Sequence, residues 1–268
     1  MAEFELKPCF STSNYLKPEY PLFIYLPGMD GTGELLRSQA ANLEQGFDIR
    51  CLAIPKNDLS NWDVLTKNVL NLIHTELEKS FHRPVYLCGE SFGGCLALKL
   101  ITHSPYLFKR IILVNPASSF HLQSWLTSIS QLTNIVPSWL YDVGTLGLLP
   151  FLASLPRIST SNRQELLNAM RYLPAETINW RLSLLREFDI DKSRLQQLQQ
   201  EVLLIAGGND RLLPSVSEIQ RLKEILPQAS SVILSDSGHA CLLETDVNLY
   251  AILQDYNFVE TEKYSYSQ

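Results

Sequence analysis

Six short apolar runs constrain this chain more than any other feature. They are Leu22–Leu26, Phe47–Ile54, Val85–Cys88, Ile111–Val114, Val202–Ala206 and Val232–Leu234, and each is nearly continuous rather than alternating. A strand with one wet face alternates polar and apolar residues. A strand that is apolar throughout must be covered on both sides, as in a parallel sheet held between two helical layers. The stretches between the runs supply those layers, with helices predicted over Glu34–Gln45, Trp62–Lys79, Phe92–His103, Ser215–Leu226 and Cys241–Gln254. This alternation predicts an α/β doubly wound domain.

Residues 115–201 break the rhythm, since they hold no convincing strand. From Ala117 to Pro156 the only formal charge is Asp142, while Phe120, Trp125, Trp139, Tyr141 and Phe151 recur among many leucines. Prolines 137, 150, 156 and 174 divide the segment into short helices. The predicted organisation is therefore a core formed by residues 1–116 and 191–268, with a helical cap at 117–190. Trp125, Trp139 and Phe151 are the candidate substrate-binding residues of that cap. Its lack of charge suits a lid over an acyl chain and contact with a bilayer surface.

Composition narrows the partners. A net charge of −6 leaves no basic face for nucleic acid. No apolar run is long enough to span a membrane, and Met1–Phe10 lacks the basic-then-apolar layout of a secretory leader. The five cysteines are scattered without a CxxC pair, so neither a disulfide framework nor a metal site is expected. The expectation is a cytoplasmic protein, peripheral to a membrane where its cap touches one.

Gly89-Glu90-Ser91-Phe92-Gly93 is G-x-S-x-G between a predicted strand and a predicted helix. Projecting a hydroxyl from the sheet edge demands a strained turn with close neighbours, which glycines two before and two after permit. Gly94 relieves crowding at the first helical turn, and the helix start directs partial positive charge at Ser91. Cys88 and Cys95 flank the turn and are expected to pack as small apolar side chains.

A serine hydroxyl needs a base, and the base an orienting acid. Of five histidines, His74 and His82 belong to a polar helix or its end, His103 to a helix carboxyl terminus, and His121 to the cap. His239 alone follows the last predicted strand at the sheet edge where open α/β sheets bind ligands. Asp210, in Gly207-Gly208-Asn209-Asp210 after the preceding strand, is the matching acid. Asp236 lies too near His239 in sequence to reach the far imidazole nitrogen and reads as a turn residue. The order Ser91, Asp210, His239 is the nucleophile–acid–histidine order of α/β-hydrolases.

Acyl transfer also needs two N–H groups aimed at the tetrahedral oxygen. One is assigned to Phe92, after the nucleophile. The other is assigned to Met29, in Leu26-Pro27-Gly28-Met29-Asp30-Gly31-Thr32-Gly33. The spacing G-x-x-G-x-G is neither a dinucleotide fingerprint nor a phosphate loop. Asp30 is expected to brace this loop through an Asx hydrogen bond.

With these motifs in place, the chain resembles the α/β-hydrolase superfamily from about Pro21 to Gln254. LPGMDGTG followed by FDIRCLAIP is similar to the hydrolase half of plant and cyanobacterial phytyl ester synthase-like proteins. The resemblance implies a mostly parallel sheet flanked by helices, with the cap inserted after the sixth-strand equivalent. It also implies esterase, lipase or acyltransferase activity on plastid-type lipids. Two departures stand out: the chain ends with the hydrolase domain and lacks an H-x-x-x-x-D motif, so no second acyltransferase domain is expected. Residues 1–20 leave little room for the usual two leading strands, which predicts a shortened sheet. A lipase or carboxylesterase, acting on a small-molecule or lipid ester without a cofactor, is the leading expectation. The alternatives are an acyltransferase to phytol or another long-chain alcohol, a thioesterase or peptidase, and a non-catalytic hydrolase-like receptor.

Overall fold

The computed structural model describes residues 7–12, 16–79, 83–123 and 149–259. Seven strands form one sheet: β1 (Cys9–Thr12), β2 (Leu22–Leu26), β3 (Asp48–Ala53), β4 (Val85–Glu90), β5 (Arg110–Val114), β6 (Glu201–Gly207) and β7 (Ala229–Leu234). Their order is β1-β3-β2-β4-β5-β6-β7. Only β1 runs antiparallel, against β3; the other five pairings are parallel. A leading strand therefore does occupy the first twenty residues, in a sheet that is otherwise parallel throughout.

Side chains of each central strand divide between two cores. Leu22, Ile24 and Leu26 meet α2 (Trp62–Lys79) and α3 (Phe92–His103) on one face, while Phe23 and Tyr25 meet α1 (Arg37–Leu43) on the other. All five residues of β2 are buried, each large apolar side chain contributing about 1.5–3 kcal/mol. This two-sided burial is why β2 reads as an unbroken apolar run. Between β5 and β6 the described helices include α4 (Thr160–Tyr172), α5 (Ala175–Arg186) and the short α6 (Lys192–Leu195). Pro174 stands at the N-cap of α5, where a missing N–H costs nothing. Next come α7 (Ser215–Ile225), on the face of α3, and α8 (Leu249–Asp255), on the face of α1.

One predicted helix is corrected. Cys241–Gln254 is a 3-10 turn at Cys241–Leu243 and a separate α8. Glu244 ends the first piece by turning its carboxylate back to the Gly238 N–H at 2.8 Å, and Asn248 caps the second by accepting from the Ala251 N–H. Likewise, the first turn of predicted Glu34–Gln45 is a 3-10 helix, Glu34–Leu36, leading into α1.

Candidate active site

Ser91 joins β4 to α3 with φ 52° and ψ −112°. A side-chain-bearing residue in that region carries about 1–3 kcal/mol of strain. Hydrogen bonds on both sides hold it there: the Ser91 N–H donates to Val114 O at 3.0 Å, and Ser91 O accepts from Gly94 and Ala117 N–H at 3.0 and 3.1 Å. Gly93 is indispensable to this packing, because a Cβ there would overlap the backbone carbonyls of Leu26 and Pro27. Gly93→Ala is expected to cost about 3 kcal/mol, the upper end for overpacking, since rigid backbone cannot yield. Urea unfolding would check it, and an unchanged midpoint would contradict the close approach.

The loops after β6 and β7 bring two side chains to Ser91. His239 Nε2 lies 2.8 Å from Ser91 Oγ, and His239 Nδ1 lies 2.7 Å from Asp210 Oδ2. Because a carboxylate can only accept, Nδ1 carries the proton and the Nε2 lone pair faces the serine hydroxyl. Asp210 is itself anchored: Oδ1 accepts from the Leu212 and Leu213 N–H groups at 2.9 and 3.0 Å, and Oδ2 accepts from Ser215 Oγ. Both side chains are buried. Burial opposes ionisation of Asp210, but the His239 charge and these donors outweigh it and hold the carboxyl below its usual range. Burial also opposes a charged His239, yet the Asp210 carboxylate prevails and raises the imidazole above 6.5.

The remaining histidines and the rival acid lie elsewhere. His74, His103 and His121 are exposed, and His82 lies outside the described residues. Asp236 faces solvent, 3.8 Å from Arg157. Cys88 and Cys95 are buried free thiols.

The loop after β2 turns tightly, its Gly31 N–H donating to Gly28 O at 3.1 Å. Asp30 accepts from the Thr32 N–H at 2.8 Å, the expected Asx brace. A Cβ built on Gly28 would stand 3.9 Å from the Ser91 Cβ, so the loop runs alongside the nucleophile. A trans peptide directs its N–H opposite its C=O. With the Gly28 carbonyl occupied inside the turn, the Met29 N–H faces outward. Phe92 begins α3, where N–H groups lack partners within the helix. Its ring stacks on Trp62 with centroids 4.7 Å apart.

Several residues at this edge escape motif reading. Asn115 takes φ 43°, donates from Nδ2 to His239 O at 2.6 Å, and accepts the Gly207 N–H at 2.8 Å, tying the ends of β5 and β6 to the histidine loop. Its position just beyond a strand, in Asn-Pro, was the available signal. Glu90, inside the motif, is buried and accepts from Tyr25 Oη. Burial raises its pKa to about 7, against the pull of Tyr25 and His239. Arg181 on α5 is 2% exposed and donates to Met29 O at 2.6 Å. It shares the buried face of α5 with Thr177, Leu184 and Leu185, an apolar-stripe position that sequence spacing could have flagged.

The segment between β5 and β6 also meets the histidine loop, as the Ala240 N–H donates to Leu152 O at 2.7 Å. Phe151, the residue before, is exposed. Trp125 and Trp139 lie outside the described residues. Among the described residues no cluster of His, Cys, Asp and Glu is placed to hold a metal ion, and no helix is long and apolar enough to cross a membrane.

Comparison with known proteins agrees with this architecture. A family model described as "Serine aminopeptidase, S33" matches residues 55–246. Phytyl ester synthase 1, chloroplastic, of Arabidopsis thaliana is 34% identical over 257 residues, covering 87% of this chain and 36% of that protein. Phytyl ester synthase 2, chloroplastic, of the same plant is 30% identical over 260 residues, covering 87% and 37%. The chain thus spans little more than a third of either relative. Among solved structures, MGS-M2, an α/β-hydrolase enzyme from a Medee basin deep-sea metagenome library, superposes with a TM-score of 0.76 at 17% identity, covering 97% of each chain.

Proposed function

This chain belongs to the serine aminopeptidase family of α/β-hydrolases, and from that premise we propose that it cleaves carboxylic esters of lipophilic acyl groups through an acyl-enzyme on Ser91. The observation that carries the reading is the relay of 2.8 Å from Ser91 Oγ to His239 Nε2 and 2.7 Å from Nδ1 to Asp210. His239 takes the hydroxyl proton as Ser91 attacks the ester carbonyl. The carbonyl becomes a tetrahedral oxyanion held by the Met29 and Phe92 N–H groups. His239 returns the proton to the departing alcohol; water, activated by the same imidazole, then attacks the acyl-enzyme, releasing the acid and restoring the Ser91 hydroxyl. Asp210 holds the tautomer and stabilises the imidazolium.

The uncharged stretch from Ala117 to Pro156, broken only by Asp142, supports an acyl-holding cap at 117–190 with Trp125, Trp139 and Phe151 against the chain. A long-chain alcohol is the second acceptor. Relatives named phytyl ester synthases, at 34% and 30% identity, favour this reading. Both fates share one acyl-enzyme and differ in whether water or alcohol reaches it.

A nitrophenyl ester series from acetate to palmitate tests the substrate class. Each buried methylene contributes about 0.8 kcal/mol, so kcat/KM should climb about fourfold per carbon until the pocket is filled. An optimum at acetate or butyrate would refute a lipophilic substrate. Adding phytol to the same assay and extracting the products separates the acceptors, a phytyl ester marking transfer and free acid alone marking hydrolysis.

A further inference from the structure

We infer that Arg181 is a positioning residue that holds the oxyanion loop in register for the acyl-transfer step. The inference rests on the reading of Ser91 as nucleophile and of the Met29 and Phe92 N–H groups as oxyanion donors.

One guanidinium reaches both residues assigned that task. Arg181 Nη1 donates to Met29 O at 2.6 Å, Nη2 donates to Pro55 O at 3.3 Å, and Cζ stands 5.9 Å from the Phe92 ring centroid. The fork also packs against the loop. Gly31 has φ +73°, and a Cβ there would be 2.5 Å from Nη1, so the guanidinium occupies space that any other residue 31 would claim. Two successive peptide planes are consequently fixed, one through Gly28 O by the Gly31 N–H and the next through Met29 O by Arg181. The Met29 N–H lies in the first of these planes, and with the adjoining plane held by Arg181 it has little freedom to rotate away from a developing negative oxygen.

Docking α5 does not call for this arginine. The helix is fastened independently: Thr177 Oγ1 donates to Lys56 O at 2.7 Å, Trp180 Nε1 donates to Ser60 O at 3.0 Å, and Trp62 Nε1 donates to Leu184 O at 2.9 Å. Leu184 and Leu185 add buried apolar contact. Placing a guanidinium in such a site carries a desolvation penalty that leucine or methionine would avoid. Here the ion faces Met29 O, in the loop that borders the nucleophile, and Pro55 O, just beyond β3, so its two directed donors link that loop to the neighbouring strand end.

The test compares Arg181→Met, Arg181→Lys and Thr177→Val in the full chain. Readouts are kcat, KM, melting temperature and the affinity of an alkyl boronic acid, which forms a tetrahedral adduct on a nucleophilic serine. Arg181→Met should lower kcat about 10²–10³-fold, the scale of one lost oxyanion donor, and weaken boronate by a similar factor. KM should move less than about threefold, since the ground-state ester makes little use of those donors. Arg181→Lys, with one donor for Met29 O, should regain part of both losses. Thr177→Val, which removes a different α5 anchor, should lower the melting temperature while kcat stays within about threefold. Wild-type kcat and boronate affinity in Arg181→Met would overturn the inference, as would losses matched in full by Thr177→Val. Should Arg181→Met fail to fold, Arg181→Lys decides: unaltered boronate affinity defeats the inference and weakened affinity upholds it. A wild-type protein that binds no boronate at Ser91 would instead remove the underlying reading.

Discussion

Ser91→Ala is expected to lower ester turnover by about 10⁶-fold, the scale on which a serine nucleophile acts together with its base. The substitution deletes one oxygen from a half-buried position and leaves His239 bonded to Asp210 at 2.7 Å, so folding should be unaffected. What remains is the contribution of the oxyanion donors and binding alone, about 10³–10⁴ over water. A nitrophenyl ester assay at high enzyme concentration, with a fluorophosphonate probe in parallel, checks both limbs. Wild-type protein should take up the probe in a single stoichiometric event, and the variant should take up none. Turnover of the variant within tenfold of wild type would dismiss Ser91 from the chemistry.

Asp210→Asn should cost about 10⁴-fold, because an amide presents a donor where Nδ1–H needs an acceptor and the imidazole can settle in the wrong tautomer. The pH profile gives a second, independent signature. His239 must be neutral to accept the serine proton, and its folded pKa lies above 6.5, with the Asp210 charge overcoming burial. Activity of the wild type therefore falls as pH drops through a point above 6.5. Removing the carboxylate leaves burial, which disfavours the imidazolium, opposed only by the weaker charge of Glu90. The acid limb of Asp210→Asn should shift to lower pH even as the plateau falls. A limb that stays in place, or moves upward, would show that another group governs it. Stability follows the same linkage. A depressed Asp210 pKa stabilises the fold above the ordinary carboxylate value of 3.8 and loses that effect as pH falls through the folded value. Acid unfolding of the variant should be correspondingly shallower.

Legibility of the fold tracked burial. Strand β2 and helices α2 and α3 carry their expected limits because covered faces demand unbroken apolar runs or a regular helical stripe. At the sheet margins that demand lapses. Strand β1 is four residues long and pairs on one side only, so Cys9–Thr12 offers no apolar run to read. Strand β7 is the other edge, and its first residues, Ala229, Ser230 and Ser231, are polar or small and partly exposed. Only Val232–Leu234 was visible. Glu244 broke the last expected helix through contacts to Gly238 and Arg157, 87 residues away in the second case, which no local pattern encodes.

The site divides along the same line. Ser91, Asp210 and His239 stood out because each requires a particular backbone setting that leaves glycines around it. Asn115, Glu90 and Arg181 act through partners 65 or more positions distant, and their spacing signals are faint. Arg181 resembled any basic residue on a helix until packing revealed which face it occupies.

The stretch joining β5 to β6 grips the centre from opposite flanks, Leu152 on the histidine loop and Arg181 on the loop after β2. Swapping that stretch for a relative's, a usual route to altered selectivity, would therefore disturb reaction rate along with taste. Chimeras that retain the arginine and the 152–240 backbone link should keep their vigour; those that trade them away should inherit a new preference but a sluggish enzyme.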